Sequence, residues 1–380
     1  MREPPLVFHP LGGCDLRNLR AHLEQNREFS QRSRGQRIRS ILAVMVRQPF
    51  TLMERLVFGR KVAAYQLPHP PIFIVGNWRS GTTNLHNLLS CDPQFDTIDF
   101  GQSAMPHNLL NITRFIARAA VAPTIPKTRG MDQVKIGIRE PQEEEIAIGN
   151  LNPISYFNVF YYPQQMKYHF DRAIFLEDTT PEEREKFEQA YVTLAKKLSI
   201  AGKGKQLLFK NPASTARLTL LNRIFPGVRF IHIVRNPYVV FASMLHHYPR
   251  LFSAFAWQRF DNVDLEGMVF YKYRRMMSAF LEQRAAVKDR LFETSYEKIV
   301  TDPLSEIERF YDFFQLPGRE VGLPAVQRYV EGRKDYRANR YQLTRAQVDR
   351  IGREWGFALK EWGYDLPESI EIVDREQVEV

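Results

Sequence analysis

Short apolar runs that end at polar, glycine- or arginine-containing loops are the clearest pattern in this chain. Ile72–Val75 is apolar throughout, residues 207–209 are a similar run, and residues 228–234 are mostly apolar. Runs of this length that lack alternation are typical of strands buried in a parallel sheet. Helical repeats separate them, and Thr180, Pro181 and two glutamates predict the start of a long helix that ends near Gly202. The pattern predicts an α/β fold.

Composition changes along the chain predict three sections. Residues 1–67 form a basic, helix-like N-terminal extension, and the break at residues 68–71 starts the core. The core is expected over residues 68–324, with an acceptor-side insertion at about 100–175 that includes a helix at 105–122. Residues 325–380 are expected to form a C-terminal cover of helices and loops. The predicted architecture is a P-loop-like three-layer α/β/α core with a central parallel sheet and helical extensions at both ends.

The first candidate site follows the run Ile72–Val75. Gly76 and Gly81 bound a loop, and Thr82 and Thr83 open a predicted helix. A strand, a glycine-bounded loop and a helix N-terminus together form an anion cradle. The spacing is that of a P-loop, but Thr82 occupies the position of the lysine and Arg79 lies inside the loop. A kinase uses that lysine on the phosphates of ATP, so the loop favours a different phosphorylated donor.

The second candidate site follows the apolar run at 228–234. Arg235 lies at the predicted carboxyl end of a strand, where open α/β sheets bind ligands. Asn236 is a favourable N-cap and Pro237 a favourable first helical residue. Ser243 comes about two turns later and returns to the face of the helix start. Arg235 and Ser243 could therefore bind one phosphate together.

These two motifs resemble those of the sulfotransferases, which transfer a sulfuryl group from 3′-phosphoadenosine 5′-phosphosulfate (PAPS). The segment from Arg79 to Thr83 resembles their 5′-phosphosulfate loop, and Arg235 with Ser243 resembles their 3′-phosphate site. Lys210 and residues 294–303 extend the resemblance over about residues 71–317, and it is to the divergent, largely bacterial branch. The resemblance implies PAPS as donor, no metal requirement, and a donor site formed by Arg79, Ser80, Gly81, Thr82, Thr83, Asn84, Arg235 and Ser243.

Catalysis of sulfuryl transfer to an alcohol requires a base for the hydroxyl proton. The segment after Pro141 contains three glutamates, which we rank as Glu143, then Glu145, then Glu144. Related sulfotransferases carry a similar Pro-x-Glu-x-Glu segment, although the same glutamates are also typical of a helix start. His107 and His86 are weaker alternatives, and Ser214 stands where many relatives have a histidine. The resemblance implies that Lys210 and Arg79 stabilise the leaving group.

Charge and composition limit the classes of partner that the chain is expected to bind. The 380 residues carry a net charge of +10, which suits a polyanionic donor, an acidic acceptor or an anionic membrane. The basic residues are scattered and no nucleic-acid module is apparent, so nucleic acid is disfavoured. The two cysteines, the lack of a signal peptide and the lack of a spanning segment predict a cytoplasmic protein. The aromatic segment 152–163 favours an apolar wall for a small-molecule or lipid hydroxyl acceptor.

Two segments have competing interpretations. The basic amphipathic segment within residues 1–67 could lie on an anionic bilayer, but such helices more often pack their apolar side on their own domain. The basic cluster at 332–341 could cover the donor, with Arg333 or Lys334 as the contact. Two other functions stay open at the sequence level: a P-loop-type small-molecule or nucleotide kinase, and a non-catalytic, membrane-associated binding protein.

Overall fold

A computed structural model describes residues 9–110, 137–332 and 340–374, together with Phe115 and the backbone of 128–129 and 132–135. Most of the helix predicted at 105–122 lies outside these residues, as do Arg333 and Lys334. The strands are β1 Ile72–Val75, β2 Phe95–Asp96, β3 Thr128–Arg129, β4 Asp132–Lys135, β5 Gln206–Lys210, β6 Arg229–Val234, β7 Leu291–Ser295, β8 Tyr341–Thr344 and β9 Ile370–Val373.

Helices make up most of the remaining described chain. They are α1 Leu16–Gln25, α2 Arg34–Ala64, α3 Thr82–Leu89, α4 Phe100–Ala104, α5 Glu145–Leu151, α6 Asn158–Tyr161, α7 Met166–Phe175, α8 Pro181–Ala201, α9 Leu218–Ile224, α10 Pro237–Phe255, α11 Leu265–Gln283, α12 Tyr296–Thr301, α13 Pro303–Phe314, α14 Arg319–Glu331, α15 Arg345–Glu354 and α16 Gly356–Trp362. None of the described helices is long and apolar enough to span a bilayer.

The central sheet has five strands in the order β2-β5-β1-β6-β7. β6 pairs in parallel with both β1 and β7, in a register that sets Val75 beside His232 and Val234 beside Ser295. The side chains of β1 are fully buried, as their uninterrupted apolar run predicts. The predicted α/β fold with a central parallel sheet flanked by helices is therefore confirmed.

The chain divides into two compact units, which are described separately. The first contains Met1–Pro71, Asp96–Phe209 and Arg250–Val263, and the second contains Ile72–Phe95, Lys210–Pro249 and Asp264–Val380. Both units are assembled from separate stretches of chain. The three consecutive sections expected from composition remain a prediction.

In the first unit, the long helices are stabilised by specific polar contacts. Thr180 and Glu183 form the capping box predicted at the start of α8. On α2, Glu54 is buried and its Oε1 lies 2.5 Å from the Nζ of Lys197 on α8. Arg47 donates to the carbonyl oxygens of Gly13, at 3.1 Å, and Cys14, at 2.7 Å. These contacts fix one side of α2 against its own unit.

Four histidines with lowered pKa values give the first unit a pH-dependent stability. Burial lowers the pKa of His9 and His107 from 6.5 to about 4, and that of His22 and His169 to about 3. Because the folded state holds these rings neutral, the unfolded chain takes up protons first as the pH falls. Their contribution to stability is complete above pH 6.5 and is lost progressively between pH 6.5 and the folded pKa values.

We therefore expect the free energy of unfolding to fall when the pH is lowered from 7.5 to 5. A histidine with a folded pKa of about 4 contributes about 2 kcal/mol to that fall. Urea denaturation at both pH values checks this, with His9→Gln expected to lose correspondingly less stability on acidification. His69 is exposed, so His69→Gln serves as the control and should behave like the parent. Equal pH dependence of all three proteins would contradict the assignment to His9.

Candidate functional site

The loop between β1 and α3, in the second unit, is built around two glycines with positive φ. Gly76 has φ +147° and donates its N–H to Oγ1 of Thr215, at 2.8 Å. A Cβ on Gly76 would lie 2.3 Å from the carbonyl oxygen of Ile233 on β6. Gly81 has φ +92°, and a Cβ there would lie 2.5 Å from the ring of Tyr296. Both positions require the absence of a side chain, so the loop can approach β6 and α12 closely.

We expect Gly76→Ala to destabilise the protein by about 2–4 kcal/mol, because the new methyl group meets backbone rather than a movable side chain. Thermal or urea unfolding measures the loss. Gly352→Ala is the matched control: Gly352 lies in α15 with open space around its α-carbon, so alanine should be neutral or slightly stabilising there. Similar stability of the two variants would show that the loop tolerates a Cβ at Gly76.

The two arginines of the sequence motifs lie together in this unit. Arg79 has φ +70°, and its Nε donates to Oγ of Ser243, at 2.8 Å. Arg235 donates from Nη1 to the carbonyl oxygen of Arg79, at 3.1 Å, and its guanidinium lies 3.9 Å from the ring centroid of Tyr296. The contacts between the two motifs arise because parallel strands β1 and β6 are neighbours and both motifs follow their carboxyl ends.

Ser243 accepts hydrogen bonds from two other members of this cluster. It is buried in α10, and Asn236 at the start of that helix accepts the N–H of Tyr238 with its Oδ1, at 3.0 Å, as its predicted capping role requires. The hydroxyl of Tyr341 also donates to Oγ of Ser243, at 3.1 Å. Two guanidinium groups and two hydroxyls thus surround one small region, which is a donor set suited to a phosphate or sulfate group.

The remaining predicted donor residues lie at or beside the same strand ends. Ser80 and Thr82 are buried and Thr83 and Asn84 are half-buried, in the loop and first turn of α3. Lys210 ends β5 and is buried, and the N–H of the next residue, Asn211, donates to the carbonyl oxygen of Ile74 on β1, at 3.1 Å. Lys210 therefore lies level with the end of β1, next to the start of the loop.

The three candidate glutamates belong to the first unit and differ in environment. Oε1 of Glu145 accepts the N–H of Tyr156, at 2.6 Å, and the hydroxyl of Ser155, at 3.2 Å, which ties α5 to the chain that follows it. Glu144 is fully buried, whereas Glu143 is half-buried.

The weaker alternatives for the base lie elsewhere. His107 is hydrogen-bonded to the carbonyl oxygen of Asn150, at 3.0 Å, and His86 is buried in the second unit. Ser214 is also buried.

Three residues in the second unit were not assigned to the site from the sequence: Tyr296, Tyr341 and Lys272. Tyr296 lies in the segment 294–303 that resembles the sulfotransferases, and Tyr341 lies at the end of the basic cluster at 332–341. Lys272 had no sequence signal, because a lysine in an amphipathic helix is usually exposed. It is buried and hydrogen-bonded to Tyr248, its Nζ lies 5.1 Å from the ring of Trp78, and burial lowers its pKa well below the usual value.

Comparisons with known proteins identify the family. The model of the sulfotransferase family matches residues 70–320. The omega-hydroxy-beta-dihydromenaquinone-9 sulfotransferases of Mycobacterium bovis and Mycobacterium tuberculosis are each 31% identical over 322 residues, which cover 84% of this chain and 82% of theirs. The chain belongs to the sulfotransferase family. This sulfotransferase transfers a sulfuryl group, which decides against the kinase and the non-catalytic alternatives.

Solved structures agree with the fold of the sulfotransferase. The crystal structure of STF9 from Mycobacterium avium has a TM-score of 0.72, with 15% identity over 94% of each chain. STF1 from Mycobacterium tuberculosis has a TM-score of 0.59, with 16% identity over 82% of this chain and 85% of its own. The likeness to both structures is one of fold.

Proposed function

We propose that the chain transfers a sulfuryl group from PAPS to a hydroxyl acceptor, and that the cluster around Ser243 binds the donor. The observation that carries this is the hydrogen-bonded group of Arg79, Arg235, Ser243 and Tyr341 at the ends of β1 and β6. Its charge and its hydrogen-bond donors match a phosphorylated nucleotide. Gly76 and Gly81 let the loop pack closely against β6 and Tyr296, and the N-terminus of α3 adds N–H groups that can bind an anion.

The proposed chemistry is a displacement at sulfur. The acceptor oxygen forms a bond to sulfur as the bond between sulfur and the phosphate oxygen of the donor breaks. A carboxylate takes the hydroxyl proton, and we propose Glu143 for this because Glu145 is bound to the backbone of Tyr156 and Glu144 is fully buried in its unit. Lys210 and Arg79 stabilise the negative charge that develops on the departing phosphate. No step requires a metal ion.

We propose a lipid-like acceptor that carries a hydroxyl group and is met at a membrane surface. The support for this is that the mycobacterial relatives are named for omega-hydroxy-beta-dihydromenaquinone-9. Most rings of the aromatic segment 152–163 are buried in the first unit. Nucleic acid is not proposed as a partner, because the basic residues are scattered along the chain and no nucleic-acid module is apparent.

The test has two parts. Calorimetry should detect binding of 3′-phosphoadenosine 5′-phosphate in the presence of EDTA, with no gain on adding Mg²⁺. Incubation with PAPS and an omega-hydroxylated isoprenoid quinone, dispersed in detergent, should give a product heavier by one SO₃ group, and the quinone without the hydroxyl should give none. Failure to bind the nucleotide would overturn the donor assignment. Binding without transfer to the hydroxylated quinone would overturn the acceptor assignment alone.

We expect Tyr341→Phe to weaken binding of 3′-phosphoadenosine 5′-phosphate by about fivefold, since one hydroxyl bond within the cluster is worth about 1 kcal/mol. Calorimetry measures the change. Tyr271→Phe is the control, because it removes a hydroxyl whose partner is Arg275 on the same helix. An unchanged affinity in Tyr341→Phe would remove this residue from the donor site.

A further inference from the structure

We propose that the outward face of α2 is a docking surface for an anionic lipid bilayer. This face is defined by Leu42, Met45, Val46, Leu52, Leu56 and Val57, which recur at helical spacing and are each more than half exposed. Leu56 is 74% exposed and Val46 is 69% exposed. Large apolar side chains that are exposed singly are ordinary, but a continuous row of them along one helix marks an interaction surface.

The helix is oriented by its other side, so this exposure is a property of the fold. Ser40, Val44 and Glu54 are the buried residues of α2. Glu54 is paired with Lys197, and Arg47 with the carbonyl oxygens of Gly13 and Cys14. An amphipathic helix normally turns its apolar side toward its own core. Here specific polar contacts on the opposite side keep the apolar side exposed within the first unit.

The positive charge of α2 favours binding to an anionic surface. The segment Arg34–Ala64 contains seven arginines and lysines and a single acidic residue, Glu54, which is buried against Lys197. The exposed charges of α2 are therefore all positive, among them Arg39, Arg60 and Lys61. An apolar row with basic residues at its edges is the composition of helices that lie in the interface of anionic membranes.

A cavity near the start of the helix adds to this positive surface. It has a volume of about 720 Å³, and its lining includes Arg32 and Arg39, the ion pair of Arg259 with Asp261, and the rings of Phe252 and Phe260. A lining that combines guanidinium groups with aromatic rings suits a phosphate headgroup and the start of its acyl chains. The 31 residues of α2 span about 45 Å, so the helix can lie flat with its apolar row at the boundary between headgroups and acyl chains.

A second copy of the chain is a poorer partner for the same face. In a symmetric dimer the two helices would present the same surface to each other. The arginines and lysines at the edges would then face arginines and lysines, without any exposed carboxylate on α2 to pair with them. A membrane of anionic lipids supplies the missing negative charge. The proposal rests on the membrane contact proposed above and is independent of the sulfuryl transfer chemistry.

Vesicle flotation with the full chain tests the docking surface without donor or acceptor. We expect binding to phosphatidylcholine vesicles that contain phosphatidylglycerol, little binding to phosphatidylcholine alone, and weakening as salt rises above about 0.1 M. Val57→Asp should lower the partition coefficient at least tenfold. Val321→Asp is the matched control, because Val321 is 51% exposed on α14, and it should bind like the parent.

The charge contribution is tested by removing pairs of cations. Arg39→Gln with Arg60→Gln should weaken binding to the anionic vesicles by about thirtyfold, since each of the two cations near such a surface contributes about 1 kcal/mol. Arg345→Gln with Arg353→Gln changes the net charge equally on another exposed helix and should have little effect. Circular dichroism should show the same helical content in all variants, because every replaced side chain is exposed.

Three outcomes would overturn the proposal. The chain could fail to bind anionic vesicles, or Val321→Asp could weaken binding as much as Val57→Asp. Light scattering could instead show a dimer that Val57→Asp dissociates while no vesicle binding occurs, which would assign the face to a second copy. Transfer to an acceptor dispersed in detergent should proceed equally in Val57→Asp, so loss of docking and loss of the proposed chemistry are separate results.

Discussion

Arg235→Ala is expected to weaken binding of 3′-phosphoadenosine 5′-phosphate by about 100-fold, measured by calorimetry. Removing a guanidinium that binds a phosphate costs about 3 kcal/mol, because both charge and a fixed pair of donors are lost. The residue has a second role that adds to the loss. It donates to the carbonyl oxygen of Arg79, so its removal also frees the loop that presents Arg79.

Two further variants separate these contributions. Arg235→Lys keeps the charge without the planar fork and should bind with intermediate affinity. Arg290→Ala removes an arginine of the same unit that contacts Asn222 and the carbonyl oxygen of Val228, and it should leave affinity unchanged. If Arg235→Ala binds the nucleotide like the parent, the cluster around Ser243 is not the donor site.

Glu143→Gln is expected to lower kcat for sulfuryl transfer by about 100-fold or more, because general base catalysis contributes that much when a hydroxyl must be deprotonated. Binding of 3′-phosphoadenosine 5′-phosphate should not change, since the substitution keeps the shape of the side chain and leaves the donor cluster intact. Steady-state kinetics with the hydroxylated quinone, together with calorimetry, measure the two effects separately.

Variants of the neighbouring glutamates test whether the loss of kcat belongs to Glu143 alone. Glu140 is exposed three residues upstream, and Glu140→Gln should retain full activity. Glu145→Gln should mainly reduce thermal stability, because its carboxylate accepts the N–H of Tyr156. If Glu143→Gln keeps full activity and either Glu144→Gln or Glu145→Gln loses most of its kcat, the glutamate whose variant loses activity is the base.

The sequence by itself determined the fold class and the positions of the two loops that follow β1 and β6. The reason is that both depend on local pattern. An uninterrupted apolar run specifies a buried strand, and a glycine loop or an Asn-Pro pair after it specifies how the chain turns into the next helix. Arg79 and Arg235 both follow parallel strands that end at the same edge of the sheet, and the structure joins them through a hydrogen bond.

The tertiary structure alone decided which distant residues complete the cluster and which side of α2 is buried. Tyr341 reaches Ser243 across 98 residues of chain, and no local spacing indicates such a contact. On α2, the spacing of the apolar residues shows that one side of the helix is apolar. An amphipathic helix usually packs that side on its own domain. The pairing of Glu54 with Lys197 and of Arg47 with backbone carbonyls reverses that choice, because buried polar groups must keep their partners. Such pairings depend on the three-dimensional path of the chain, which periodicity does not contain.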